Sequence, residues 1–297
     1  MYDGEGSGAE LAPSGVLTSE CICTTPWKAH AFDEERLTFM AKWFHARRAA
    51  RNNRSILQLM TEEHVDTVLV ADAQPKLYHR SNPTQPVFFH PGMAQQRLAA
   101  LQRGEPERLV ARAQVRTGDT IVDATLGLGT DSLVLAQAVG EQGRVIAIEA
   151  SFVLARLFLF EKYYPGPNYP WLQPLLNRIE VMMGDHTQVL SKMPSASVDV
   201  VVFDPMFRKP VPRESNLSAA REFTLPARLA EAAWREAQRV ARRTVVLKER
   251  PDSGEFQRFS LQPDKPRARF AYGVWNKSSA SDPIETGSLP SNGTHVL

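Results

Sequence analysis

From residue 119 onward, short apolar runs alternate with stretches of helical spacing. Five runs rich in Val and Ile have the composition of strands buried on both faces; they are DTIVDAT (119–125), RVIAIEAS (144–151), RIEVMMGD (178–185), VDVVVFDP (198–205) and RTVVLKER (243–250). Helical patterns such as DSLVLAQAV (131–139) and residues 225–242 lie between them. This alternation predicts an α/β fold with a doubly wound, mostly parallel sheet. FQRFSLQ (256–262) and RARFAYGVW (267–275) alternate with period two, which predicts antiparallel C-terminal edge strands.

The chain before residue 119 has a different order of predicted helices and strands. Its predicted elements are a helical region at 32–60, strands at 65–72, 76–81 and 86–90, and a helix from Pro91 to about residue 103. We therefore expect a small α+β N-terminal domain at 21–110 and a cofactor-binding domain at 111–277. Residues 1–20 and 278–297 are polar and lack periodicity, so the sequence predicts two disordered tails.

Composition narrows the class of protein. Lys and Arg outnumber Asp and Glu by 35 to 33, so a nucleic-acid surface would have to be a local concentration of charge. No apolar run has the length of a membrane span, and the acidic N-terminus does not resemble a secretory signal. Cys21 and Cys23 are the two cysteines, too few for a disulfide framework or a zinc site. We expect a cytoplasmic protein without metal.

The loop DATLGLGT (123–130) follows the first strand of the second region and leads into a helix. Ligands of open α/β sheets bind beyond the carboxyl ends of the strands. Glycines such as Gly127 and Gly129 let the backbone approach a ligand closely, and Thr125 lies in the same loop. The spacing of the two glycines with Ser132 also fits a dinucleotide fingerprint loosely, but a lone match of this kind is weak. A tight strand–helix turn is the alternative.

Acidic residues favour S-adenosylmethionine over a dinucleotide. Asp123 lies within the loop, where a carboxylate attracts the cationic methionyl end and would repel a pyrophosphate. Glu149 follows Gly127 by 22 residues, the spacing at which an acid accepts both ribose hydroxyls. Asp185 is placed to meet the adenine amino group. Asp204 ends a fourth strand, and each of these acids has an alternative role as a helix N-cap.

The segment Asp204-Pro205-Met206-Phe207 resembles the motif of methyltransferases that act on exocyclic amines of bases. Such an amine is a poor nucleophile, because its lone pair is delocalised into the ring. The Asp204 carboxylate and the Pro205 carbonyl can both accept hydrogen bonds from it and orient the lone pair. The Phe207 ring can stack on the extruded base. The alternative is a strand that ends at proline, with Phe207 in the core.

Several segments together resemble one family, the small-subunit ribosomal RNA guanine-N2 methyltransferases of the RsmJ-like type, which are class I S-adenosylmethionine-dependent enzymes. The resemblance covers about 65–277 and is carried by TIVDATLGLGTD (120–131), the motif at 204–207, VVLKERPD (245–252), FFHPGMAQQR (88–97) and RARFAYGVW. It implies S-adenosylmethionine as cofactor and ribosomal RNA or the small ribosomal subunit as partner.

The resemblance also implies roles for individual residues. These are Thr130 and Asp131 at the methionyl part of the cofactor, Glu149 and Ala150 at the ribose, Asp185 and His186 at the adenine, and Asp204 at the methyl-transfer centre. The sequence departs from the relatives at three of these positions: they carry small hydroxyl residues in place of Asp185 and His186, and Arg in place of Thr130.

Basic residues follow the strand ends at the same edge. They are Arg208, Lys209 and Arg213 after the 204–207 motif, and Lys248 and Arg250 at the end of the fifth strand. Together they predict contacts with an RNA backbone. A second group, Arg47, Arg48, Arg51 and Arg54, is either a solvated helix face or a further RNA contact.

Three other functions are compatible with parts of this pattern. One is a methyltransferase of the same fold that acts on a DNA or protein amine. Another is a nicotinamide-dependent dehydrogenase, against which the 204–207 motif and Asp123 argue. The last is a non-catalytic RNA-binding module, against which the intact cofactor loop and motif argue.

Overall fold

Two β-sheets organise the part of the chain described by the computed structural model. The structure describes residues 21–28, 33–166, 169–205, 220–224 and 228–277. Within these ranges, a five-stranded sheet belongs to the N-terminal region and a six-stranded sheet to the region after residue 119. Both predicted tails lie outside the described residues, so their predicted disorder stays a prediction.

The N-terminal sheet has the strand order β2-β1-β3-β4-β5. Its elements are β1 (Cys21–Thr24), α1 (Asp33–Trp43), β2 (Arg47–Arg48), α2 (Ile56–Glu62), β3 (Thr67–Val70), β4 (Lys76–His79) and β5 (Asn82–Val87). Strand β1 runs parallel to both β2 and β3 and is buried on both faces. The sequence analysis did not predict it. Cys21 and Cys23 are free and face the core that includes α1, while Ile22 faces the opposite core.

Strand β5 begins earlier than the sequence predicts. The sequence predicts a strand at 86–90, but β5 runs from Asn82 to Val87, and the turn before it lies at residues 80–81. His79 pairs with Asn82 across that turn. Proline cannot donate to a strand ladder, and β5 tolerates Pro83 and Pro86 because it is the edge strand of its sheet.

The six-stranded sheet has the order β11-β10-β9-β6-β7-β8. Its strands are β6 (Thr120–Asp123), β7 (Arg144–Glu149), β8 (Ile179–Met183), β9 (Val198–Phe203), β10 (Ala241–Glu249) and β11 (Ala271–Asn276). All pairings are parallel except that of β10 with β11. Because the chain passes from β6 to β7 on one side and later to β9 on the other, the strand order reverses at β6. Ligands bind at such a point.

Helices cover both faces of this sheet, as the prediction of a doubly wound fold requires. They are α3 (Gly92–Gln102), α4 (Arg108–Ala113), α5 (Thr130–Ala138), α6 (Phe152–Tyr163), α7 (Gln173–Asn177), α8 (His186–Lys192), α9 (Glu231–Val240) and the short α10 (Glu255–Arg258). One core packs α3, α4, α5 and α7 against the sheet, and the other packs α8, α9 and α10. The helices α3 and α4 thus contact the second sheet, and the predicted domain division at residue 110 stays a prediction.

Of the two predicted C-terminal edge strands, the second is present and the first is not. Residues 271–276 form β11 as an antiparallel edge strand, but residues 256–262 contain the end of helix α10 rather than a strand. Phe256 is buried, and its carbonyl accepts a hydrogen bond from the backbone N–H of Leu261 at 2.7 Å. The apolar residues at 256, 259 and 261 therefore pack through a helical turn, and β10 serves as the partner of β11 instead.

Helix α6 joins the two sheets. Its residues Leu157 and Phe160 share a core with Leu37 and Met40 of α1. The indole Nε1 of Trp43 donates a hydrogen bond to the carbonyl of Arg156 at 3.2 Å. The N-terminal sheet is thereby attached to the helix that follows β7.

Candidate active site

The glycine loop lies at the carboxyl end of β6, where the strand order reverses. The Glu149 carboxylate accepts hydrogen bonds from the backbone N–H of Gly127 at 2.7 Å and of Ser151 at 2.8 Å. Burial raises the pKa of Glu149, although these N–H groups oppose the shift. Glu149 therefore ties the loop after β6 to the start of α6, next to the half-buried Ala150.

The two glycines of the loop have different surroundings. Both have positive φ, +53° at Gly127 and +82° at Gly129. A Cβ at Gly129 would overlap the ring of Phe158, whereas a Cβ at Gly127 would meet no atom of the described chain within 4 Å. Gly129 is thus required for packing, and Gly127 borders open space at the ligand-binding edge.

We expect Gly129→Ala to lower the free energy of unfolding by about 2–4 kcal/mol, through backbone strain and overlap with Phe158. Gly127→Ala is the matched control, because it carries the strain without the overlap; about 1–2 kcal/mol is expected. Denaturant unfolding of both variants measures the difference. Equal losses would show that Phe158 moves aside without cost.

Asp123 is 1% exposed at the end of β6. Its carboxylate accepts hydrogen bonds from the Ser132 hydroxyl at 2.6 Å and from the Thr125 N–H at 3.1 Å. Burial raises the pKa of Asp123 to about 6, so the group is mainly ionised at pH 7. Asp123 therefore fixes the loop to α5 and adds a buried negative charge beneath it.

Five side chains from five parts of the chain form an inner charge cluster, which we define as Arg97, Glu107, Asp131, Asp204 and Lys248. The Lys248 ammonium lies 2.5 Å from an Asp204 oxygen and 3.2 Å from an Asp131 oxygen. The other Asp131 oxygen binds the Arg97 guanidinium, which also lies 2.8 Å from a Glu107 oxygen. Lys248 thus bridges the start of α5 and the end of β9.

The two carboxylates that share Lys248 have opposite pKa shifts. Burial alone would raise the pKa of Asp131, but Lys248 and Arg97 outweigh it and hold that pKa well below its usual range. For Asp204, burial dominates and raises the pKa to about 7, against the attraction of Lys248 and with the repulsion of Asp131. Burial would also lower the pKa of Lys248, yet the two carboxylates raise it. The pKa of Asp204 is therefore raised and that of Asp131 is lowered, although both carboxylates contact the same ammonium.

Among Asp131, Asp204 and Lys248, Asp204 is the most accessible. Its side chain is 28% exposed, against 6% for Asp131 and 15% for Lys248. The backbone N–H of Asp204 donates to the Thr125 hydroxyl at 2.7 Å, so the glycine loop fixes the end of β9. Pro205 follows and is half-buried. The predicted residues Phe207, Arg208, Lys209 and Arg213 lie outside the described residues.

Asp185 and His186 lie at the start of α8, beside the glycine loop. Asp185 caps the helix by accepting hydrogen bonds from the N–H groups of Thr187 at 3.0 Å and Gln188 at 3.1 Å. The His186 ring packs against Phe203 and hydrogen-bonds the carbonyl of Ala124. Burial lowers the pKa of His186. The predicted adenine contacts of both residues stay predictions.

Two of the predicted RNA contacts have other partners in the structure. A phosphate contact does not fit Lys248, because its ammonium is enclosed by Asp131 and Asp204. Arg250 is 28% exposed and forms a bidentate ion pair with Asp252, at 2.9 Å for each bond. At the N-terminal patch, ion pairs with carboxylates engage Arg47, Arg48 and Arg54, and Arg51 lies over the Trp27 ring.

Three residues complete the site without having been predicted in their structural roles: Arg97 and Phe270 had no predicted role, and Ser132 was named only as the third position of a loose dinucleotide fingerprint. Arg97 anchors Asp131, Ser132 anchors Asp123, and the Phe270 ring centroid lies 5.2 Å from the Lys248 ammonium. Arg97 and Phe270 lie in two of the segments that carry the family resemblance. Their position in those segments was the signal in the sequence that could have indicated a role at the site.

Two features are absent from the described ranges. They contain no group of three or more His, Cys, Asp or Glu side chains suited to a metal ion. In the same part of the chain, no helix is long and apolar enough to cross a membrane.

Comparisons with known proteins identify the family of this chain. Residues 52–269 match the family model of SAM-dependent methyltransferases. The chain is 35% identical over 225 residues to the uncharacterised protein YpiP of Bacillus subtilis, covering 75% of this chain and 87% of that protein. It is 30% identical over 213 residues to ribosomal RNA small subunit methyltransferase J of Shewanella amazonensis, and the match covers 69% of this chain and 79% of that protein.

A solved structure supports the fold. The crystal structure of a SAM-dependent methyltransferase from Neisseria gonorrhoeae superposes with a TM-score of 0.55 at 17% identity, covering 88% of this chain and 97% of the other. The predicted class I α/β fold is confirmed, and the dehydrogenase alternative has no support from the family match. The chain belongs to the family of S-adenosylmethionine-dependent methyltransferases, and S-adenosylmethionine is its cofactor.

Proposed function

We propose that the protein methylates the exocyclic N2 of a guanine in small-subunit ribosomal RNA, in the cytoplasm. The observation that carries the proposal is the position of Asp204. Its carboxylate is partly exposed at the carboxyl end of β9, beside the glycine loop, with a pKa near neutrality. The motif at 204–207 and the similarity to a relative named for ribosomal RNA support this substrate over a protein amine.

The residues at this edge fit S-adenosylmethionine in charge and in space. Among the described residues, the inner charge cluster contains three carboxylates and two cations, and Asp123 adds a further buried carboxylate. Such an excess of negative charge favours a cationic ligand. Open space at Gly127 admits that ligand to the loop backbone. When bound, the cofactor supplies an electrophilic methyl group on a positively charged sulfur.

Asp204 has two roles in this proposal. The amine of guanine is a weak nucleophile, so an acceptor that binds its N–H orients the lone pair. The ionised Asp204 carboxylate provides that acceptor, together with the carbonyl of Pro205. As the nitrogen gains the methyl group, whose bond to sulfur would break in the same displacement, the nitrogen becomes positive, and Asp204 stabilises that charge and accepts the released proton. A pKa of about 7 suits this proton transfer.

Lys248 is a positioning residue in the same proposal. Its ammonium contacts one oxygen of Asp204, whose side chain stays 28% exposed to a substrate. Its contact with Asp131, which Arg97 also fixes, anchors the lysine to α5. The Thr125 hydroxyl fixes the backbone of Asp204 from the other side. The acceptor is therefore held in place before the substrate arrives.

The proposal is tested by comparing small-subunit ribosomal RNA from four strains of the source organism, of which one is the deletion strain with the wild-type gene restored. Of the others, one is wild type, one lacks the gene, and one carries the gene with Asp204→Asn. We expect one N2-methylguanosine to disappear in the deletion strain and in the Asp204→Asn strain, and to return with the wild-type gene. An unchanged set of methylated guanines in the deletion strain would contradict the assignment.

A further inference from the structure

We infer that a second basic surface, beside the active-site edge, binds the phosphate backbone of the substrate RNA. We call it the outer basic surface and define it by Arg108, Arg112, Lys265 and Arg267. The first two belong to α4, and the other two belong to the loop before β11. The inference rests on the proposed RNA substrate and adds a contact surface that neither the 204–207 motif nor the family match specifies.

A buried acid organises this surface. The Asp264 side chain is 3% exposed and accepts hydrogen bonds from Arg108 at 2.6 and 2.9 Å and from Arg112 at 3.0 Å. It also accepts the backbone N–H of Tyr272 at 2.9 Å. One hidden carboxylate thus fixes two guanidinium groups whose side chains remain 24% and 49% exposed. They line a shallow cavity of about 360 Å³ with Lys265.

The charge of the outer basic surface is unbalanced. Lys265 and Arg267 are exposed, and no carboxylate of the described chain lies within ion-pair distance of either side chain. Glu107 also borders the cavity, but its side chain is 8% exposed and paired with Arg97. Three cations, Arg108, Arg112 and Lys265, therefore line the cavity, and Asp264 pairs with two of them. Arg267 follows two residues further along the same exposed loop. This excess of positive charge favours a polyanion. The N-terminal arginine patch is less suitable, because carboxylates already pair with most of it.

The surface is continuous with the active site. The guanidinium of Arg108 lies 5.0 Å from the centroid of the Phe270 ring, and the ammonium of Lys248 lies 5.2 Å from the same centroid. One aromatic ring therefore separates the outer basic surface from the inner charge cluster. Ala271 opens β11 and pairs with Glu249 at the carboxyl end of β10. A nucleotide whose base reaches Asp204 would have neighbouring phosphates within reach of this surface.

The test is the double charge reversal Lys265→Glu with Arg267→Glu, because neither residue belongs to the catalytic site. The matched control reverses two exposed arginines, Arg116 and Arg144, which lie at the opposite, amino-terminal edge of the strands. The probes are transcribed small-subunit ribosomal RNA and isolated small subunits from the deletion strain. The measurements are RNA affinity at several salt concentrations, methyl transfer, and S-adenosylmethionine binding by calorimetry.

We expect the Lys265/Arg267 variant to bind RNA at least about 10-fold more weakly than the control near 150 mM salt. The slope of its log affinity against log salt concentration should become shallower by the equivalent of about two phosphate contacts. Its affinity for S-adenosylmethionine should be unchanged. Equal RNA affinities for variant and control, while the wild type still methylates its RNA, would overturn the inferred RNA contact at this surface but leave the proposed function standing. A loss confined to whole subunits would overturn it in favour of an acidic protein partner. Failure of the wild type to bind or methylate either probe would overturn the proposed function as well.

Discussion

Asp204→Asn is expected to lower single-turnover methyl transfer by about 100-fold or more while leaving S-adenosylmethionine affinity within about 3-fold. The amide keeps the size of the side chain but removes the negative charge that stabilises the amine and receives its proton. Cofactor affinity is retained because Asp123, Asp131 and Glu149 remain at the loop. Rapid-quench assays with enzyme in excess over RNA measure the rate, and calorimetry measures the affinity.

Asp252→Asn is the matched control for Asp204. It removes a carboxylate that follows β10 at the same edge of the sheet and pairs with Arg250 outside the inner charge cluster. We expect this variant to retain wild-type turnover. A near wild-type rate in Asp204→Asn would remove Asp204 from the chemistry and leave the 204–207 motif as the end of a strand.

Lys248→Met is expected to have the second largest effect, because it removes the cation between Asp131 and Asp204 at nearly constant length. Breaking a buried ion pair leaves uncompensated charge and should cost roughly 3 kcal/mol of unfolding free energy. Turnover should fall as well, since Asp204 loses its support. Lys248→Arg keeps the charge, so it should retain part of the unfolding free energy and part of the turnover that Lys248→Met loses. Lys192→Met, on the exposed surface of α8, is the control and should change neither.

The pH profile separates positioning from stability. In the wild type, methyl transfer should rise with pH through about 7, because Asp204 must be ionised to accept the amine N–H. Removing Lys248 disfavours the ionised form of Asp204, so the midpoint of the rise should move to higher pH. A lower rate with an unmoved midpoint would assign Lys248 a structural role alone.

The sequence predicted the parallel sheet because its strands are buried on both faces and read as continuous apolar runs. Strand β1 escaped prediction because the four residues Cys21–Thr24 are too short to show a period. The first residues of β5 were not predicted because Pro83 and Pro86 indicate a turn, and only the position of β5 at the sheet edge makes them acceptable. The helix at 255–258 replaced a predicted strand because the short segment mixes two spacings: residues 259 and 261 are two apart, as in a strand, whereas residues 256 and 259 are three apart, as in a helix.

The sequence also located the acids of the site, since strand ends at one edge of a parallel sheet meet in space. It could not predict which of them pair. Lys248 and Asp131 are 117 residues apart, and Arg97 and Asp131 are 34 residues apart. A basic residue after a strand was therefore assigned to RNA in the case of Lys248, although two carboxylates enclose it. Packing of α3 and β10 around α5 decides that outcome.

The most direct test of the account is methyl transfer by the purified wild-type protein to small-subunit ribosomal RNA. Radiolabelled S-adenosylmethionine is supplied with deletion-strain subunits or with their naked RNA, and the labelled nucleoside is identified after digestion. The account predicts label in N2-methylguanosine, stoichiometric with a single site. Label in another nucleoside, in ribosomal protein, or in neither substrate would contradict it.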